Sequence, residues 1–181
     1  GMGLQGKTIG IVGMGQIGIA MARRAKAFGM SILYADDYDP PAAAVEGLDA
    51  RKVSLDELFA TADVVSLHCP YLPSTHHLVD EARLRSMKRT AYLVNSARGP
   101  IVDEEALVAA LRTGEIAGAG LDVFEKEPAV HPGLLELENV VLLPHLGSAT
   151  TETRAAMADL AADNALAVLR GEAPLTPVTK L

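Results

Sequence analysis

The feature that most constrains this 181-residue chain is Gly13-Met14-Gly15-Gln16-Ile17-Gly18, because of what flanks it. Ahead of it, Thr8-Ile9-Gly10-Ile11-Val12 is short, apolar and β-branched, which suits a strand buried on both faces. Behind it, Ile17, Ala20, Met21, Arg24 and Phe28 recur at helical spacing across 16–28, with Gly29 as a C-terminal stop. In a strand–turn–helix each of these glycines has its own task. Gly13 permits the tight turn, Gly15 removes a side chain where a pyrophosphate must approach the backbone, and Gly18 lets helix and strand pack closely. Gln16 and Ile17 then open a helix whose free N–H groups and partial positive charge favour phosphate. Asp36 lies 18 positions beyond Gly18, at the end of the next apolar run, and is placed to accept hydrogen bonds from both hydroxyls of an adenosine ribose. A carboxylate there repels a 2′-phosphate, and no Arg or Lys stands between Asp36 and Glu46 to reverse that preference. NAD is favoured over NADP.

The alternation of strand and helix continues. Ser54, followed by Glu57, has the form of a capping box and opens a helix to about Ala60, before Val64-Val65-Ser66-Leu67 gives a strand. A helix is expected over 80–87, a strand over 91–95, a helix over 104–112 capped by Asp103, strands over 117–121 and 140–143, and a long Ala-rich helix over 150–170 that Thr150 can cap. Strands separated by helices pair in parallel through right-handed crossovers, so the expected fold is α/β: a doubly wound parallel sheet of the Rossmann kind, with three αβα layers. The weakest stretch is 38–53, where Pro40 and Pro41 conflict with an Ala run, and the tail after Gly171, with Pro174 and Pro177, reads as irregular.

Composition narrows the partners. A hydrophobic fraction of 49% with 22% charged residues excludes a disordered chain. Sixteen basic against 23 acidic residues leave a formal charge of −7, which repels a nucleic-acid backbone. The lone Cys69 makes no internal disulfide or cysteine zinc site, and no window reaches the ~20 apolar residues of a membrane span, so a cytoplasmic location is expected, with no membrane partner. There is no signal-peptide pattern, and Gly1 ahead of Met2 has the look of a scar left by tag removal.

Three further segments end expected strands, where open α/β sheets place their ligands: Asn95-Ser96-Ala97-Arg98-Gly99, Leu121-Asp122-Val123-Phe124-Glu125-Lys126-Glu127-Pro128, and Pro144-His145-Leu146-Gly147-Ser148-Ala149-Thr150. With the glycine turn, they resemble the D-isomer-specific 2-hydroxyacid dehydrogenases, nearest to the glyoxylate and hydroxypyruvate reductases, with phosphoglycerate dehydrogenases competing. The resemblance implies hydride transfer between NADH and a small 2-oxo acid. His suits the accompanying proton transfer near neutrality, and the resemblance makes His145 the donor, Glu127 its carboxylate partner and Arg98 the holder of the substrate carboxylate and carbonyl. It places Asp122 on the nicotinamide side, with the backbone at Cys69 and Pro70 lining the same floor, and Ala97, Arg98 and His145 also bordering the cofactor.

Other readings of single residues stand beside these. Glu125 competes with Glu127 as the carboxylate, although the Glu-Pro pair favours Glu127. His68, His76, His77 and His131 show no metal-ligand spacing and read as ordinary loop or strand-end residues; Asp63 and Asp80 read as solvated boundary residues and Cys69 as a small buried filler. No metal is expected. The resemblance assigns 4–149 to a dinucleotide domain and 150–181 to a helix and tail returning toward a substrate domain, whose long N-terminal segment this chain lacks; it also implies a homodimer. An NAD-responsive regulatory module, or an inactive domain-only fragment, remains the alternative function.

Overall fold

The computed structural model describes residues 1–177. It falls into two compact units, Gly1–Pro144 and His145–Leu181. The first contains strands β1 (Thr8–Val12), β2 (Ser31–Ala35), β3 (Arg51–Lys52), β4 (Val64–Leu67), β5 (Tyr92–Asn95), β6 (Gly118–Leu121) and β7 (Val140–Leu142). Between them lie helices α1 (Gln16–Ala27), α2 (Ala42–Val45), α3 (Leu55–Thr61), α4 (Glu81–Ser86), α5 (Glu104–Thr113) and α6 (Pro132–Leu135). The second unit carries α7 (Thr151–Leu169).

All seven strands join one sheet in the order β3-β2-β1-β4-β5-β6-β7, and each pairing is parallel. The order reverses between β1 and β4, which makes the carboxyl ends of these two strands the topological switch point. Alternation along β1 explains the layering. Ile9 and Ile11 join Ile19, Ala22 and Ala25 of α1 in one core, whereas Gly10 faces Leu58 of α3. On that second face Leu58, Phe59, Val65, Leu67, Leu84, Leu93, Leu107 and Leu111 form the larger core beneath α3, α4 and α5. Burial of these apolar side chains, at about 25 cal/mol per Å², is the main stabilising contribution.

Side-chain caps set the helix starts on this face. Ser54 Oγ, Asp80 Oδ1 and Asp103 Oδ1 accept the N–H groups of Glu57, Arg83 and Ala106. The capping box expected at Ser54 is only half formed, because the Glu57 carboxylate binds Arg51 at 2.8 Å instead. Nor are Asp80 and Asp63 merely solvated boundary residues: Asp80 is a cap, and Asp63 accepts the Thr8 N–H and the Lys88 ammonium, both at 2.9 Å. Burial pushes the Asp63 carboxyl up, but these two donors outweigh it and hold it below the usual carboxylate range.

The stretch 38–53 resolves into the single turn α2 and the two-residue edge strand β3, neither of which the sequence pattern specifies. Residues 171–177 carry no regular element, as expected for the tail, and 178–181 lie outside the described residues. In the second unit Thr150 Oγ1 accepts the Thr153 N–H to cap α7, whose only buried residue is Ala167. No helix among the described residues is long and apolar enough to cross a membrane.

Candidate cofactor and substrate site

At the end of β1 the chain turns through Gly13 with φ +93°, and a Cβ added there would stand 2.6 Å from the Cys69 nitrogen. Gly18 is equally constrained, since its added Cβ would lie 2.1 Å from the Gly13 carbonyl oxygen. Gly15 differs: nothing lies within 4 Å of its added Cβ. The protein fold does not require glycine at 15, whereas close approach of a phosphate to the backbone does. Gly15 is also the N-cap of α1 and provides no side-chain cap, which leaves the first N–H groups of the helix to a ligand; Gln16 and Ile17 there are exposed.

A cleft of about 610 Å³ opens from this turn. Gly13, Gly15, Asp36, His68, Cys69 and Pro70 line it together with the rim loop through Leu72, Ser74, Thr75 and Leu78. The volume is in the range of small-molecule and cofactor pockets. Asp36 Oδ2 accepts the Met14 N–H at 2.6 Å and Oδ1 the Tyr38 N–H at 2.9 Å, so the carboxylate is oriented by both flanking turns while lining the cleft. Cys69 and Pro70 share this cleft with Asp36. Burial pushes the Cys69 thiol up to about 11, which keeps it protonated and unreactive, and burial also lowers the His68 imidazole below its usual value. An open glycine backbone, an uncapped helix terminus and an oriented carboxylate fit the pyrophosphate and ribose of NAD.

The loops after β5 and β6 form a second cluster. Asn95 is buried; its Nδ2 donates to the Arg98 carbonyl and its Oδ1 accepts the Ala97 N–H, which shapes the turn presenting Arg98. The guanidinium is exposed and donates to the Ala97 carbonyl at 2.6 Å. A Cβ on Gly99 would fall 1.9 Å from the carbonyl carbon and oxygen of Phe124, so the Arg98 turn is seated on the backbone of the Glu127 loop. Asp122, buried at the end of β6, donates its N–H to Asn95 O. Glu127 Oε1 accepts the Phe124 N–H at 3.1 Å, and the Glu127–Pro128 bond is cis.

The two competing carboxylates point to different partners. Glu125 Oε1 accepts the Glu104 N–H at 2.9 Å, Glu104 Oε1 accepts the Glu125 N–H at 2.9 Å, and His77 Nε2 lies 3.1 Å from the same Glu125 oxygen. Glu104, buried at the start of α5, has its carboxyl raised by burial. Asn95, Glu104 and His77 are the site-building residues that sequence reasoning left without a role; only the quoted Asn95-to-Gly99 segment hinted at one of them. His145 is exposed and opens the second unit in left-handed backbone, φ 55°.

These features define a dinucleotide-binding domain. Residues 1–147 match the family model of the D-isomer specific 2-hydroxyacid dehydrogenase, NAD binding domain, and the chain belongs to that family. A glyoxylate reductase of Thermococcus onnurineus is 54% identical over 180 residues, covering 99% of this chain and 54% of that protein. One from Thermofilum pendens is 52% identical over 184 residues, covering 98% and 52%. The crystal structure of a glyoxylate reductase from Paecilomyes thermophila superposes with a TM-score of 0.92 at 47% identity, covering 99% of this chain and 54% of that one. The chain thus spans about half the length of the relatives it matches.

Proposed function

We propose that this chain is the NAD-binding half of an oxidoreductase that reduces a small 2-oxo acid, such as glyoxylate or hydroxypyruvate, to the D-2-hydroxy acid. The observation that carries the reading is the pairing of two features on one sheet: a cleft whose Gly15 leaves room for a pyrophosphate, and, after β5 and β6, Arg98 and Glu127 on loops seated on each other through Gly99. NADH, when bound, supplies the hydride; Gly13, Gly15, Gln16, Ile17, Gly18 and Asp36 would hold its pyrophosphate and ribose. The Arg98 guanidinium would grip the substrate carboxylate and polarise its carbonyl with a planar fork of donors. His145 would hold the proton for the carbonyl oxygen, with Glu127 favouring its charged form. The segment 150–181 would return toward a substrate domain.

We also propose a homodimer in the cytoplasm. Met157, Leu160, Leu166, Val168 and Leu169 of α7 are exposed, apolar surface that suits a subunit contact.

The test uses both the 181-residue chain and a full-length protein carrying it. The short chain is expected to bind NADH but to reduce glyoxylate very slowly or not at all, because orientation and water exclusion need the second wall of the cleft. In the full-length protein His145→Ala should collapse turnover with NADH affinity nearly unchanged, and Arg98→Lys should raise KM and slow kcat. Normal reduction of small 2-oxo acids by both variants would overturn the roles given to His145 and Arg98, whereas a full-length parent that bound NADH but reduced none of them would favour an NAD-responsive module.

A further inference from the structure

We propose that His77 is a positioning residue that couples occupation of the cofactor cleft to the loop bearing Glu127; the inference rests on the NAD reading of that cleft. His77 lies in the rim loop between Thr75 and Leu78, both of which line the cleft. Its ring reaches the other cluster: Nε2 donates to Glu125 Oε1 at 3.1 Å, while Nδ1 stands 3.8 Å from Asp103 Oδ2. Glu125 is locked in turn to Glu104 by the reciprocal N–H-to-carboxylate pair, two residues ahead of Glu127 on the same loop. His76 is stacked on His77 with centroids 4.0 Å apart, and the Tyr71 hydroxyl lies 3.3 Å from His76 Nδ1.

Backbone geometry marks the same residue independently. His77 has φ 48°, a left-handed conformation that glycine or asparagine adopts at lower cost. The conformation is held by its N–H, which donates to Pro100 O at 2.9 Å, and it aims the imidazole at Glu125. Val79 N–H donates to Ile101 O and Asp103 N–H to Val79 O, so backbone bonds tie the rim to the Arg98 turn and to the start of α5, and the His77 side chain ties it to the Glu127 loop. A shift of the rim on ligand entry therefore has two routes outward: a backbone route through Val79, and a direct one to the Glu125 carboxylate that passes through the imidazole. Coupling of this kind acts equally in both directions.

The separation can be read by NMR on the ¹⁵N-labelled 181-residue chain titrated with ADP, which carries adenosine and a diphosphate but no nicotinamide. In the parent, the amides of Glu104 and Glu125 should shift with the same saturation curve as those of Gly15 and Leu78. In His77→Ala the Gly15, Leu78 and Ile101 shifts should persist while the Glu104 and Glu125 responses fall at least threefold. His77→Gln, which restores an N–H donor, should recover more than half of them. Should the alanine variant fail to fold, His77→Phe keeps the ring stacked on His76 without the donor and is expected to behave alike. Glu104 and Glu125 responses unchanged in the donor-less variants, or absent in the parent while Gly15 titrates, would overturn the coupling. Failure of Gly15 itself to respond would instead overturn the cofactor reading, and the inference with it.

Discussion

The turn after β1 and the paired loops after β5 and β6 stand at the same edge of one sheet, yet they are held in different ways. After β1, backbone does most of the shaping, with Asp36 accepting the Met14 N–H at the turn: a side chain at Gly13 or Gly18 would strike the Cys69 nitrogen or the Gly13 carbonyl, and Gly15 leaves empty space. After β5 and β6, polar side chains fold the loops back onto themselves and onto α5, through Asn95 to the Arg98 turn, Glu104 to Glu125, Glu127 to Phe124 and His77 to Glu125. The first arrangement accommodates a ligand common to many enzymes and needs little beyond absent side chains. The second must aim individual charged groups, and aiming requires partners for the groups around them.

Substitution of glycines in the two regions gives the largest contrast. Gly99→Ala drives a methyl to within 1.9 Å of the Phe124 carbonyl, backbone against backbone, and should destabilise by about 3 kcal/mol in denaturant unfolding. Gly15→Ala meets open space and should change stability by less than about 0.5 kcal/mol while weakening NADH binding. Equal stability losses at the two positions would mean that the glycine turn is built for the fold and not for the ligand.

This contrast also explains what the sequence disclosed. The strand–glycine–helix order and the apolar alternation follow from local spacing, so β1, α1 and the doubly wound topology were legible, as were the caps Ser54, Asp103 and Thr150. Strand β3 was not, because two residues flanked by Pro40, Pro41 and an Ala run carry no period and pair only through β2. The Glu57 carboxylate pairs with Arg51 of β3, a charged partner that the capping-box pattern does not include. At the site, Gly15 and Asp36 stand at spacings that carry a mechanism. His77 and Glu125 are 48 positions apart, and Glu104 and Glu125 are 21 apart, so no local pattern links them. Arg98 and Glu127 were singled out through family resemblance; the seat that Gly99 provides on Phe124 became visible only with the backbone in place.

A smaller effect, confined to the glycine side, is expected of Asp36→Ala. The carboxylate has two tasks, accepting the Met14 and Tyr38 N–H groups and facing the cleft. Loss of charge-assisted bonds to a ribose should weaken NADH binding by about 2 kcal/mol, while removing the repulsion that disfavours a 2′-phosphate. The ratio of NADH to NADPH affinity, measured by cofactor fluorescence, should therefore narrow. An unchanged ratio would confine Asp36 to shaping the turns.

The smallest effect belongs to the other region and depends on pH. Burial, with the neighbouring Glu125 charge adding to it, raises the Glu104 carboxyl despite the Glu125 N–H that it accepts. Since the folded state then binds this proton more tightly than the unfolded chain, the group's contribution to stability is fully present below the ordinary glutamate pKa of about 4.3 and is lost as pH rises through the raised folded value. Glu104→Gln retains an oxygen that can accept the Glu125 N–H but never ionises. Relative to the parent, the variant should accordingly gain stability as pH rises from the acid range, with the difference levelling off once Glu104 in the folded parent has ionised. Thermal unfolding of both chains across that range measures the gap. A gap that stayed flat, or that widened toward acid, would show that the Glu104–Glu125 pair is held as an ordinary solvated carboxylate contact, and the distinction between a backbone-built and a side-chain-built edge would lose its electrostatic half.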